Sequence, residues 1–257
     1  MRLIAASLMK IVTWNVNGIR KRQGELQDLL AAEQPDILCL QEIKAAPDQI
    51  PGLLLAPEGY WCYWHGLGGY SGVAMLVRCE FAQSRPEFSH PPFDHEGRIV
   101  VADLGSMLMA SVYVPNGGKD FPAKMHFLDG LAGWAAETNT AGRTVVICGD
   151  LNVAREERDV HPKERKPNQI GTRPEERARI SGLIDAGFVD VGRALDSDND
   201  ELFTWWAPWR NLRQRNIGWR IDYVLATGAL GARAASSTSR REFGTSDHAP
   251  QVVTFRS

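Results

Sequence analysis

The chain has 257 residues, 44% hydrophobic and 23% charged, with 29 Lys and Arg against 31 Asp and Glu, a formal net charge of −2. That composition excludes extended disorder, collagen-like repeats and disulfide scaffolds, and the length suffices for one large core. The chain is no general polycation, so any nucleic acid must be held by local basic patches.

Reading from the amino terminus, residues 1–8 are expected to be an extension, with Met9 an alternative start, followed by one domain over 9–257. Short apolar, β-rich runs mark strands at Lys10–Trp14, Ile37–Gln41, Val73–Val77, Arg98–Asp103, Leu108–Val114, Thr144–Cys148, Ile221–Ala226 and Gln251–Phe255. Helical spacing falls between them, at Gly24–Glu33, Phe121–Glu137 and Pro174–Ala186. The last helix opens on Thr172 and Glu175 in capping-box spacing, with Pro174 in its first turn. Strands alternating with helices predict an α/β domain, with an antiparallel hairpin around Gly105. The stretch from Arg155 to Arg179 is polar and too long for an ordinary connection, which makes it either functional or a solvated excursion.

Cys39, Cys62, Cys79 and Cys148 form no CxxC pair, and Cys39 and Cys148 sit inside apolar runs. Reduced thiols and a bacterial-type cytosol are therefore expected, with no zinc site. No apolar stretch reaches the roughly 18 residues that span a bilayer, so no membrane partner is expected.

The chemistry lies in where polar residues fall. Trp14-Asn15-Val16-Asn17-Gly18 follows the first strand and Gln41-Glu42 the second. Tyr113-Val114-Pro115-Asn116 closes the hairpin, Gly149-Asp150-Leu151-Asn152 follows the strand through Cys148, and Ser246-Asp247-His248 precedes the last strand. Ligands collect at strand ends in open α/β sheets, so these segments are candidates for one cleft. A single Asp or Asn after a strand is more often a turn residue than a ligand. Five such segments together change the balance, because clustered carboxylates repel unless a cation neutralises them. Hard oxygen donors, no Cys and a single His suit Mg²⁺, with Mn²⁺ as a substitute. No GxxxxGK[ST] loop and no GxSxG elbow is present, which disfavours P-loop and α/β-hydrolase chemistry.

A second feature is the segment Leu202–Tyr223, with Trp205, Trp206, Trp209 and Trp219 interleaved with Arg210, Arg213, Arg215 and Arg220. Aromatic and Arg residues together make a surface that stacks on bases or sugars and contacts phosphates. Arg20 and Lys119 are further candidate backbone contacts.

These motifs, with Tyr70-Ser71-Gly72-Val73-Ala74 and Gly218-Trp219-Arg220-Ile221-Asp222-Tyr223 added, occur in the order of the exonuclease III family of apurinic/apyrimidinic endonucleases, which the chain resembles over nearly its whole length. The resemblance implies a deoxyribonuclease I-like, four-layer α/β sandwich, with two mixed sheets face to face and flanked by helices. It implies a Mg²⁺-dependent, monomeric catalytic domain that incises duplex DNA 5′ to abasic sites, with 3′-to-5′ exonuclease and 3′-repair diesterase activity on blocked 3′ ends. It further implies that Glu42 is the central metal ligand, with Asn15 and Asp247 in the acidic cluster. Asp150 orients or deprotonates water and Asn152 holds the water or phosphate, both near the metal. His248, oriented by Asp222, also lies at the metal and donates to the phosphate, and Tyr113 and Asn116 complete the cradle. Trp205, Trp219 and Ile221 line a pocket for the flipped sugar, Tyr70 lies near the minor groove, and Trp209 wedges the duplex. Asn17 stands where the family often has Asp. The competing expectations are a same-fold phosphodiesterase on another phosphate ester and a DNA-binding relative with weak catalysis.

Overall fold

The structure is a computed structural model that describes residues 8–256. Its strands are β1 (Leu8–Asn15), β2 (Ile37–Gln41), β3 (Tyr60–His65), β4 (Val73–Arg78), β5 (Glu87–Ser89), β6 (Ile99–Asp103), β7 (Met107–Tyr113), β8 (Thr144–Asp150), β9 (Phe188–Asp190), β10 (Asp222–Thr227), β11 (Ala234–Ser239) and β12 (Gln251–Arg256). The helices are α1 (Gln23–Glu33), α2 (Gly52–Leu55), α3 (Cys79–Ala82), α4 (Phe121–Thr140), α5 (Pro174–Asp185), α6 (Val191–Leu195) and α7 (Gly228–Gly231). All eight expected strands are present, their ends moved by no more than two residues. β1 starts at Leu8, which pairs with Arg256, one residue inside the expected extension; residues 1–7 lie outside the described part.

The strands make two six-stranded sheets, ordered β11-β12-β1-β2-β4-β3 and β5-β6-β7-β8-β10-β9. β1 runs parallel to β2 and β7 parallel to β8, while the other neighbours are antiparallel, so both sheets are mixed. Residue parity sorts the apolar side chains into layers. Ile11, Cys39, Met75, Met109, Val146, Cys148 and Val224 fill the space between the sheets. Val12, Trp14, Leu38 and Leu40 face the other way onto the α1 side with Leu26 and Leu29. Val145, Ile147 and Tyr223 pack beneath Phe127, Leu131 and Ile180 of α4 and α5. Strands covered on both faces read as continuous apolar runs, which is why the central ones are plain in the sequence. The fold is the expected four-layer sandwich.

α5 starts at Pro174 as expected, but its capping pair is shifted by one residue. Arg173 is its N-cap, and Glu176 rather than Glu175 reaches back, accepting from Arg173 N at 3.0 Å and Gly171 N at 2.8 Å. Thr172 instead donates its hydroxyl to Gln169 O, leaving Glu175 exposed and Glu176 buried. Among the described residues no helix is long and apolar enough to cross a membrane.

Candidate active site

β1 and β2 run parallel, so Asn15 and Glu42 leave the first sheet at the same rim. In the second sheet Tyr113 and Asp222 are both register partners of Asp150, on β7 and β10. Asn15 joins the two sheets: its Nδ2 donates to Glu42 Oε1 at 3.0 Å and to Asp150 Oδ2 at 2.9 Å. Gly149, at φ +135°, lets the chain pass under β7, since a Cβ there would lie 2.0 Å from Val112 O. Glu42, Asn17 and Asn152 each adopt a left-handed φ of 45–50°. Such conformations cost of order 1 kcal/mol or more at non-glycine residues and are typical of functional turns.

His248, in the turn before β12, points Nδ1 at Asp222 Oδ2, 2.9 Å away, and Nε2 toward Asp150 Oδ2 at 3.7 Å. Burial disfavours its cation, but Asp222, Asp150 and Asp247 outweigh that and raise its pKa to about 10. As an imidazolium it has two donors and no lone pair, so it suits a phosphate oxygen better than the metal position expected for it. Asp150 moves the other way from an ordinary carboxylate. Burial, reinforced by the charges of Asp222 and Glu42, pushes it up to about 7 despite the opposing His248. Burial also works against ionised Glu42, yet hydrogen bonds from Asn15 and Lys44 hold its carboxyl below the usual range.

Glu42, Asp150 and His248 bring ligand atoms within 4.8 Å of one another. With His248 charged, the carboxylates of Glu42 and Asp150 are the donors left for a cation. Buried Asp150 and half-buried Glu42, with their hard oxygens close together, fit a divalent ion such as Mg²⁺. The other expected ligands are engaged otherwise. Asn15 has its Nδ2 on the two acids, and its Oδ1 accepts from Asn17 N at 3.0 Å. Asp247 accepts from Asn17 Nδ2 at 2.7 Å and from the Trp205 indole at 2.9 Å. Asn152 donates to Val114 O and Asp150, while its Oδ1 accepts from Asn116 Nδ2 at 3.2 Å. These three hold the acids in place, and their oxygens, like those of Glu42 and Asp150, each keep a lone pair beside the bond they accept.

Beside the acids lies a cavity of about 420 Å³, walled by Trp205, Trp219, Ile221 and Ile170 and floored by Glu42, Tyr113, Asp150 and His248. Trp205 and Trp219 meet edge to face at 6.0 Å. Asn116, Asn152 and Asp247 also reach this space. The Arg98 guanidinium sits 4.8 Å over the Tyr113 ring. Burial, then the charges of Glu42 and Asp150, push the Tyr113 phenol well above its ordinary value, so it stays a donor.

The DNA-facing candidates divide. Tyr70, Trp209, Arg20 and Lys119 are exposed, with Tyr70 donating to Glu96. Arg213 turns inward: its guanidinium donates to the carbonyls of Arg241, Ser246 and Phe243, pinning the loop before Asp247. Three of its five N–H donors are thus used inside the protein, which makes it a clamp on that loop. Trp206 is buried in a small cluster with Phe203 and Leu212. Sequence reasoning gave no role to Lys44, which bonds Glu42 at 2.7 Å and Asn17 at 2.6 Å; its place two residues after the acid was the available signal. It also gave none to Arg98 or to Gln169-Ile170-Gly171, although the long polar stretch containing the latter had been marked.

The endonuclease/exonuclease/phosphatase family model matches residues 12–248. The chain belongs to that family. A zebrafish relative, DNA repair nuclease APEX1, is 37% identical over 95% of this chain and 81% of its own length. Among solved structures, a 3′ phosphatase from Neisseria bound to a product DNA hairpin superposes with a TM-score of 0.88 at 31% identity, covering 97% of this chain and all of its own. An AP endonuclease from Archaeoglobus fulgidus gives 0.86 at 30% identity, over 96% and 99% of the two chains.

Proposed function

We propose that this chain is a Mg²⁺-dependent DNA-repair phosphodiesterase that cleaves duplex DNA 5′ to abasic sites and removes blocking groups from 3′ ends. The observation that carries the reading is the juxtaposition of an acid pair, buried Asp150 and half-buried Glu42, with an aromatic-walled pocket. Asp150 and Glu42 lie at the floor of a cavity whose wall is Trp205, Trp219, Ile221 and Ile170. A nucleotide without a base is extruded from a duplex at least cost, and an aromatic wall of Trp205 and Trp219 beside the acids suits a bare sugar.

The residues divide the work. Glu42 and Asp150 would hold the cation, which would supply charge neutralisation at the phosphate and at the departing 3′ oxygen. Asp150, ionised beside a cation, orients the attacking water and accepts its proton. His248, held in one orientation by Asp222, donates from Nε2 to a non-bridging phosphate oxygen. Tyr113 and Asn116 donate to the same phosphate, while Asn152 steadies the water beside Asp150. Exposed Trp209, Tyr70, Arg20 and Lys119 contact the duplex around the site, and the protein acts as a monomer.

A defined duplex with one tetrahydrofuran abasic analogue tests this. Incision on the 5′ side of the analogue, abolished by EDTA and restored by Mg²⁺, is expected. Cleavage of inositol phosphates or another small phosphate ester, with intact abasic DNA, would overturn it.

A further inference from the structure

Lys124, on the first turn of α4, is fully buried, and so is Glu176 of α5, its ion-pair partner at 2.5 Å. The lysine ammonium has three donors, and all are used. Besides Glu176 they reach Asn152 O at 2.8 Å and Asn116 O at 3.2 Å. Glu176 accepts in turn from Gly171 N, at 2.9 and 2.8 Å to its two oxygens, and from Arg173 N at 3.0 Å. Gly171 is packed so closely that a Cβ on it would lie 3.2 Å from both Asn152 O and the Trp219 ring, and its own carbonyl accepts from Ala154 N at 2.7 Å. Two charges thus tie together three loops: the one bearing Asn116, the one bearing Asn152, and the Gln169–Gly171 turn that walls the cavity. All three reach the same cavity.

A buried ion pair is a poor means of stabilising a fold, since apolar groups of similar volume often serve as well or better. What charge provides here, and a hydrophobic pair cannot, is a point cation that fixes two backbone carbonyls at once. We propose that Lys124 and Glu176 are positioning residues that lock the phosphate-side asparagines to the sugar-side wall of the pocket, setting the register between them. The inference rests on the site reading given above. A small displacement of such groups is costly to the rate, on the order of 10²-fold for 1 Å, and leaves ground-state DNA binding largely unchanged.

The test is the double variant Lys124→Met/Glu176→Gln, which removes both charges together and leaves no unpaired buried ion. It is compared with wild type and with Asp150→Asn on the abasic duplex, reading the melting transition, the DNA dissociation constant and the single-turnover rate. The expected result is a cooperative melt, lowered by the loss of the donor to two buried carbonyls, with, below that transition, a dissociation constant within about threefold and a single-turnover rate reduced about 10²-fold. If the double variant folds and cleaves within about threefold of wild type, the pair is merely structural and the inference falls. Should Asp150→Asn also cleave normally, the site reading falls instead. If the double variant does not fold, Glu176→Gln alone keeps the volume and the Lys124 cation on its two carbonyls, at a cost in melting temperature for the unpaired charge. A rate loss measured below its melting transition, with the DNA dissociation constant within about threefold of wild type, then supports the role, and an unchanged rate overturns it.

Discussion

Replacing Asp222 by Asn tests the electrostatic core of the site. Asp222 Oδ2 lies 2.9 Å from His248 Nδ1, both residues are almost fully buried, and Asp222 is the foremost anion holding His248 at about 10 rather than 6.5. At about 1.4 kcal/mol per pH unit that difference represents roughly 5 kcal/mol of preference for the cation, shared among Asp222, Asp150 and Asp247. Removing the Asp222 charge is expected to withdraw roughly 2 kcal/mol of it, bringing the alkaline limb of the rate profile down by about 1.5 pH units. Asn keeps the acceptor for Nδ1–H, so the ring stays oriented. Its amide nitrogen, however, would occupy the place of Oδ1, which has no partner, and an unpaired buried donor costs about 1–3 kcal/mol of stability. At neutral pH His248 stays charged and oriented, so the rate should fall by much less than the roughly 10²-fold lost with a preorganised donor itself, and that full loss should develop above the lowered alkaline limb with DNA binding nearly intact. His248→Asn should lose as much or more, and the double variant little beyond that, because groups acting as a unit are strongly non-additive. Single-turnover rates of the four proteins across pH 6–10 provide the check. Losses that multiply, or an unmoved alkaline limb, would refute the coupling.

Three further outcomes follow from the geometry. Arg213→Ala should cost about 2 kcal/mol or more of stability by freeing three carbonyls in the loop before Asp247. It should leave the slope of log K against log salt unchanged, whereas Lys119→Ala, at an exposed position, should flatten that slope by about one without changing stability; denaturation curves and salt titrations on abasic duplex distinguish the two, and a flattened slope for Arg213→Ala contradicts the clamp. Because a cation needs ionised Asp150, which sits at about 7, Mg²⁺ or Mn²⁺ affinity should weaken as pH falls through 7, up to about tenfold per unit for one proton; equal affinities at pH 6 and 8 by calorimetry would refute it. The same raised carboxyl binds a proton in the folded state that the unfolded chain releases above its ordinary value of 3.8, so metal-free protein should lose stability from about pH 4 to pH 7 on this account, while the raised His248 contributes stability that is complete below 6.5 and lost as pH rises through about 10. Melting midpoints with and without His248→Asn measure the second term.

What the sequence concealed has, apart from the aromatic-rich β3, a common physical origin. The four strands that patterning missed, β3, β5, β9 and β11, are the four edges of the two sheets. An edge strand is covered on fewer sides and needs less apolar side chain. β11 is Ala-Ala-Ser-Ser-Thr-Ser and β5 and β9 have three residues each, too short or too polar to register as runs. Arg213 and Lys124 were misread or passed over for a related reason. A long cation has the same composition whether it faces a phosphate or a cluster of inward carbonyls, and only the direction of the chain around it decides. Glu175 and Glu176 are both glutamates near one helix start, and a one-residue difference in the capping pair exchanges a solvated acid for the buried hub. The left-handed turns at Asn17, Glu42 and Asn152 have no compositional mark at all, except that Asn tolerates them better than most residues.

The site itself was legible because strand direction leaves a trace in the order of residues. β1, β2, β7 and β8 form two parallel pairs whose carboxyl ends reach the same rim, so their polar residues come after the apolar run. β10 is antiparallel to β8 and β12 antiparallel to β1, so theirs must come before it, as Asp222 and Ser246-Asp247-His248 do. Four trailing and two leading polar segments can share one face of a sandwich only with this sense of pairing. The converse would place Asp222 and His248 at the opposite end from Asp150, a strand of seven residues and roughly 20 Å away. The observed 3.7 Å between His248 and Asp150 is therefore a consequence of topology as much as of side-chain choice.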